Sequence, residues 1–249
     1  MVKPKKHLGQ HFLTDPAVAA RIVDSLKTES NSRILEIGPG KGILTKWLLA
    51  KENIDLKAVE LDEESVQFLN EHFPSLKVIQ QDFLKLDLIQ IFEGKSYKVI
   101  GNFPYNISSQ IVFAILENRS VIDEMVGMFQ KEVAKRICSA PGSKEYGILS
   151  VLSQANYKTD YLFSVNEGVF FPPPKVKSGV IRFSRKADFL KEDDFRKLST
   201  LVKLAFNQRR KQLRNSIKSL LPENFEHPIL TKRPEQLHFS EFIELMHML

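Results

Sequence analysis

Asn102, Phe103, Pro104 and Tyr105 stand between an apolar run ending at Gly101 and a helical pattern carried by Ile111, Val112, Ile115 and Leu116. An amide, a turn proline and two aromatics in that place suit a planar amine as substrate. The lone pair of an exocyclic amino group on a nucleobase is delocalised into the ring, so the nitrogen is a poor nucleophile. Two hydrogen-bond acceptors can hold its N–H groups and favour a pyramidal nitrogen. The Asn102 side-chain carbonyl supplies one acceptor and the Phe103 backbone carbonyl the other, with Pro104 fixing the turn. Tyr105 offers a face on which the base can stack. Such a site works by positioning and electrostatics and needs no strong base. A base inside a duplex cannot reach it, so the substrate base must be flipped out or unpaired. Phe170 and Phe171, ahead of Pro172, Pro173 and Pro174, are candidates for closing the other side of that base.

An electrophile needs its own pocket. The stretch "RILEIGPGKGILT" places Glu36, Gly38, Gly40 and Gly42 after an apolar run. The spacing is E-x-G-x-G-x-G, not that of the dinucleotide fingerprint, and no lysine follows in Walker spacing. Glycines there let the backbone approach a ligand closely. The next two apolar runs end at Glu60 and Asp82. A carboxylate past the second strand can accept both ribose hydroxyls, and one past the third can accept from an adenine amino group. Each acid alone reads equally well as a solvated or helix-capping residue. Together they describe an adenosine pocket with an acidic rim, which suits S-adenosyl-L-methionine, a ligand with a sulfonium and no phosphate.

These residues must be carried by a sheet. Apolar β-rich runs at Arg33–Ile37, Leu56–Glu60, Lys77–Gln80, Lys98–Gly101 and Met125–Gln130 alternate with helical patterns. That order predicts an α/β fold, a Rossmann-like and mostly parallel sheet, whose ligands lie beyond the carboxyl ends of the strands. Tyr161–Val165 and Val180–Phe183 lack a long crossover, which predicts antiparallel pairing at an edge. From Lys186 helical patterns take over: Phe195, Leu198, Val202 and Ala205 recur near helical spacing, and a last helix over "HFSEFIELMHML" is expected with Ser240 as its cap. The reading is therefore a cofactor-binding catalytic domain over residues 1–185 and a small all-helical domain over 186–249.

Composition narrows the function. The chain has 249 residues, 43% of them apolar, and a net charge of +6. One cysteine and six scattered histidines give no metal-ligand spacing, so no metal is expected. No apolar run approaches a membrane span. The basic start, "MVKPKKHLGQHF", lacks the apolar region of a secretory signal, and a cytoplasmic location is expected. Positive charge gathers in residues 203–218, where Lys203, Arg209, Arg210, Lys211, Arg214 and Lys218 occur without an acid. With Arg210 and Arg214 four apart, a helix would put both on one face. A charge run is commonly a solvated helix face. Beside a base pocket, an acid-free one points to phosphate contacts.

Taken together, the chain resembles the ribosomal RNA adenine N6-dimethyltransferase family, most closely its bacterial KsgA branch. The matching pieces run in the family's order: "HLGQHFL" at 7–13, "LEIGPGKGILT" at 35–45, "AVELD" at 58–62, "QDF" at 81–83, "GNFPYNIS" at 101–108, "QKEVAKRI" at 130–137, "PGSKEYGILSVLSQ" at 141–154, "FPPPKVKSGV" at 171–180 and "FNQRRKQLRNSI" at 206–217. The resemblance implies that His11, Leu13, Gly38, Glu60, Asp82 and Asn102 line the cofactor site. It assigns substrate positioning to Asn102, Pro104 and Tyr105, and the stacking aromatic to Phe170. The family usually has Asn where His11 stands, and Leu or Ile where Phe103 stands. The implied substrate is two adjacent adenosines in a hairpin loop near the 3′ end of 16S rRNA, within an immature 30S subunit, and RNA is accordingly the expected partner of the basic helical domain. Nothing in the sequence demands a dimer, so a monomer is expected. The main alternative is the Erm branch, which acts on 23S rRNA. Enzymes methylating DNA adenine or protein glutamine share the Asn-x-Pro-Tyr turn, and a non-catalytic RNA-binding relative would share the fold.

Overall fold

The computed structural model describes residues 2–249. Its main sheet has seven strands in the order β4-β3-β2-β5-β6-β9-β7. These are β2(Arg33–Ile37), β3(Asp55–Glu60), β4(Lys77–Gln80), β5(Tyr97–Asn102), β6(Ile122–Gln130), β7(Tyr157–Val165) and β9(Ser178–Arg185). The first five pair in parallel. β9 runs antiparallel to β6, and β7 closes that edge. Ile34, Leu35, Val99, Ile100, Met125 and Val126 are fully buried, as strands covered on both faces require. A two-stranded ribbon, β1(Phe12–Leu13) with β8(Phe170–Phe171), stands apart from this sheet.

The helices follow from local signals. In α1(Pro16–Asp24), the Asp15 carboxylate accepts from Ala17 N at 2.8 Å and Val18 N at 3.2 Å, and Pro16 starts the helix. Its Ala19, Ile22 and Val23 are buried. Crossovers α2(Ile43–Leu49), α3(Glu63–His72) and α4(Ser108–Glu117) each follow a strand whose end carries one of the candidate residues.

The chain forms two compact units. One comprises residues 1–134 and 160–185, the other residues 135–159 and 186–249. The second unit thus takes in a segment that the sequence reading assigned to the first. That segment ends α5(Lys131–Ile137) and contains α6(Ile148–Asn156), where Leu149, Val151, Leu152 and Ala155 are buried. In the same unit α7(Glu192–Asn207) buries Phe195, Leu198, Leu201, Val202 and Ala205 on one face. The last helix, α9(Phe239–Met248), is capped by His238 rather than Ser240: His238 Nδ1 accepts from Ser240 N at 3.4 Å, and His238 N donates to Glu241 Oε2 at 2.9 Å. No helix among the described residues is long and apolar enough to cross a membrane.

Candidate active site

Parallel register brings the candidate residues to one edge. Glu36 pairs with Ala58 and Ile100, and Glu60 with Gln80, so β2, β3, β4 and β5 end side by side. A cleft of about 180 Å³ opens there. Its walls include Gly38, Gly40, Glu60, Asp82, Asn102 and Pro104 from the strand ends, and Leu8 to Phe12 from the N-terminal arm. Of the residues expected to hold a cofactor, His11, Gly38, Gly40, Glu60, Asp82 and Asn102 meet here. Leu13 does not: it is 5% exposed, packs in the core and borders only a small adjoining cavity.

The Glu60 carboxylate is held by the backbone. Oε2 accepts from Gly40 N at 3.0 Å, and Oε1 from Leu61 N at 2.8 Å and Asp62 N at 2.9 Å. Burial raises its pKa and outweighs those three donors, which work to lower it. A carboxylate has about four lone-pair sites. Three are used, so gripping both hydroxyls of a ribose requires one N–H to be shared or released. Gly40 itself has φ +56°, and a Cβ there would lie 2.8 Å from the Phe12 ring. Asp82 Oδ1 accepts from Leu84 N at 3.0 Å, which leaves its second oxygen for a ligand. Leu61 and Leu84, 51% and 37% exposed, present apolar surface on the same walls, as a planar base requires. Sequence reasoning passed over both, although each stands within two residues of a strand-end acid.

The N-terminal arm is fastened to this edge. The Lys5 ammonium pairs with Asp62 and, at 3.2 Å, with Glu64. Burial works to raise the Asp62 carboxyl, but hydrogen bonds from Lys5 and Ser65 more than offset it and hold it below its ordinary range. The fastening bends Leu8–Phe12 across the cleft, where no local sequence signal places them.

The turn after β5 is stapled at several points. Asn102 Nδ2 donates to the His11 carbonyl at 2.9 Å, which orients the amide and leaves Oδ1 free to accept. Phe103 N donates to Met128 O at 3.2 Å, and Ile107 N to Pro104 O at 3.2 Å. The Phe103 ring is 1% exposed and meets Phe129 edge-on at 5.1 Å. Gly127 gives it room, since a Cβ there would collide with the ring. The larger side chain is thus absorbed by the core, while the backbone carbonyl of Phe103 accepts from no described residue. The Tyr105 hydroxyl bonds Ser178 Oγ at 2.6 Å, and its ring lies 5.4 Å from that of His11. His11 Nδ1 donates to Pro172 O at 2.7 Å.

One expected stacking residue is misplaced for that role. Phe170 is 4% exposed and belongs to the buried cluster, so its ring has no open face. Side chains alternate along a strand. The one that points outward is Phe171, 60% exposed.

The basic segment differs more. It is not one helix: α7 stops at Asn207, residues 208–212 form a turn, and α8(Leu213–Ser216) is a single turn. Arg210 and Arg214 therefore do not share a helical face. Arg209 is engaged within its unit. It donates to Lys144 O at 2.7 Å and Ser143 O at 3.1 Å, and its Nε lies 3.5 Å from Glu235. These contacts brace a loop and occupy much of the guanidinium, which sets Arg209 apart from the other cations of the run. Lys203, Arg210, Lys211, Arg214 and Lys218 are exposed.

The pattern of the family described as ribosomal RNA adenine dimethylase matches residues 1–236. The chain belongs to this family. It is an S-adenosylmethionine-dependent methyltransferase. A relative from Flavobacterium johnsoniae, named ribosomal RNA small subunit methyltransferase A, is 55% identical over 98% of this chain and 95% of its own length. One of the same name from Bacteroides thetaiotaomicron is 53% identical over 98% and 93%. Among solved structures, a dimethyladenosine transferase from Plasmodium falciparum superposes with a TM-score of 0.79 at 26% identity, covering 94% of this chain and 96% of that one. The 23S rRNA methyltransferase ErmE gives 0.71 at 24% identity, with coverage of 95% and 99%, and shares the fold. For a dimethylase of this family the cleft suits the cofactor: two acids stand at strand ends, apolar faces flank them, and at Gly40 the loop leaves no room for a Cβ.

Proposed function

We propose that this dimethylase acts on small-subunit rRNA, transferring methyl groups to N6 of two adjacent adenosines in a hairpin loop near the 3′ end of 16S rRNA. The substrate is an immature 30S subunit, and the enzyme works as a cytoplasmic monomer. The names of relatives more than half identical support the choice of subunit. The observation that carries the chemistry is the Asn102 amide, turned by the His11 carbonyl so that Oδ1 is left to accept.

S-adenosylmethionine, when bound, supplies an electrophilic methyl group on a sulfonium. Glu60 and Asp82 hold the ribose and adenine ends, between Leu61 and Leu84. Asn102 Oδ1 and the Phe103 carbonyl each accept one N–H of the substrate amine, which turns its lone pair toward the methyl carbon. Tyr105 stacks on the base and stays protonated: burial raises its pKa, offset only in part by Ser178. Once methylated, the amine nitrogen is acidic and releases its proton to water, so no base is required in the turn. Arg210, Lys211, Arg214 and Lys218 neutralise phosphates, which makes the second unit the RNA-binding one and the first the catalytic one.

The test is methyl transfer from labelled S-adenosylmethionine to unmethylated 30S subunits, with 50S subunits and naked 23S rRNA in parallel. N6,N6-dimethyladenosine in 16S rRNA alone is the expected product. Label in 23S rRNA would make this an Erm-type enzyme.

A further inference from the structure

Phe171 has no place in the chemistry above. It is the most exposed large apolar side chain among the described residues, at 60%. An aromatic left in water on a mobile loop would mean little, but this one is held. Its strand pairs with the N-terminal arm, Phe12 opposite Phe171 and Leu13 opposite Phe170. Before it, Thr14 N donates to Val169 O at 2.8 Å. After it, His11 Nδ1 donates to Pro172 O at 2.7 Å. Both ends of the segment are thus tied to the arm that walls the cleft.

Directly opposed residues in an antiparallel pair share a face of the ribbon. Phe171 therefore stands on the face of Phe12, whose ring lines the cleft and lies against Gly40. The ribbon and the segment that follows it carry lysines. The Lys41 ammonium is 5.4 Å from the Phe12 ring centroid. Lys175 and Lys177 are exposed on the same segment, whose backbone is tied down by Lys131 N donating to Lys177 O at 2.9 Å. A rigid aromatic among ammonium groups is the arrangement that grips unpaired nucleotides, the ring taking a base and the cations its phosphates. An apolar protein partner would meet Lys41, Lys175 and Lys177 beside the same ribbon and along its segment.

We propose that Phe171 is a stacking platform for the unpaired nucleotide beside the target adenosine, with Lys175 and Lys177 on its phosphates. This rests on the function proposed above. The platform holds the strand next to the reacting base and does not touch the reacting atoms, so it governs substrate affinity rather than the chemical step.

The test uses the full enzyme and small-subunit particles reconstituted with 16S rRNA, either intact or abasic at a nucleotide flanking the methylated adenosine. Phe171→Ala is expected to raise KM for intact particles roughly tenfold, with kcat and S-adenosylmethionine affinity unchanged. Phe171→Trp should keep the wild-type KM. On particles abasic at the stacked position, the wild-type enzyme should lose the same factor and Phe171→Ala nothing more. A wild-type KM for Phe171→Ala on intact particles would overturn the inference, as would an equal loss on intact particles and on those abasic at either flank. Absence of transfer by the wild-type enzyme to any small-subunit particle would instead remove the proposed function, and this inference with it.

Discussion

Glu36 is 1% exposed, and burial pushes its pKa from 4.5 up to about 8. The Thr45 hydroxyl donates to Glu36 Oε2 at 2.6 Å, which favours the ionised form but is outweighed. At neutral pH the folded protein therefore holds a proton on this carboxyl that the unfolded chain has released. Its folded pKa lies above its unfolded one. The associated stability is full below pH 4.5 and is lost as pH rises to about 8. Each unit of that window costs about 1.4 kcal/mol, so the whole window costs roughly 5 kcal/mol. Glu36→Gln removes the titration and keeps an acceptor for Thr45. Urea unfolding at pH 5.5 and 7.5 should show the variant gaining on the wild type by about 3 kcal/mol between the two. Parallel pH profiles would refute the reasoning and mean that Glu36 is ionised in the fold.

Asn102→Ala should lower kcat by about a hundredfold or more, while calorimetry finds S-adenosylmethionine affinity changed far less. Equal losses would give Asn102 a purely cofactor role. Gly40→Ala forces a side chain into φ +56°, with its Cβ 2.8 Å from the Phe12 ring, and should weaken cofactor binding more than tenfold by calorimetry. Arg209→Ala should lower the melting temperature by a few degrees, since two carbonyls lose a charged donor. Arg210→Ala should leave melting unchanged and reduce the salt dependence of RNA binding by about one charge.

Strand positions were legible because each apolar run is local. Arg33–Ile37 and Lys77–Gln80 are observed as read, and the others extend a few residues further. Side-chain orientation was less legible. Phe170 and Phe171 are equivalent on paper, and only pairing with β1 sends one into the core and the other to water. Arg209 reads as one more cation in a basic run. Its engagement depends on the loop carbonyls of Ser143 and Lys144, more than sixty residues earlier.

By itself, the sequence determined the sheet, the glycine loop, the acids at Glu60 and Asp82, and the turn at Asn102–Tyr105. Consecutive parallel strands end at the same edge, so residues at strand ends converge whatever else the chain does. Tertiary structure alone decided which groups are free to act. It laid Leu8–Phe12 across the cleft, turned the Asn102 amide, engaged three of the Glu60 lone pairs and raised the pKa of Glu36 by burying it. Those outcomes depend on hydrogen-bond partners and burial supplied by distant segments, and local spacing carries no record of either.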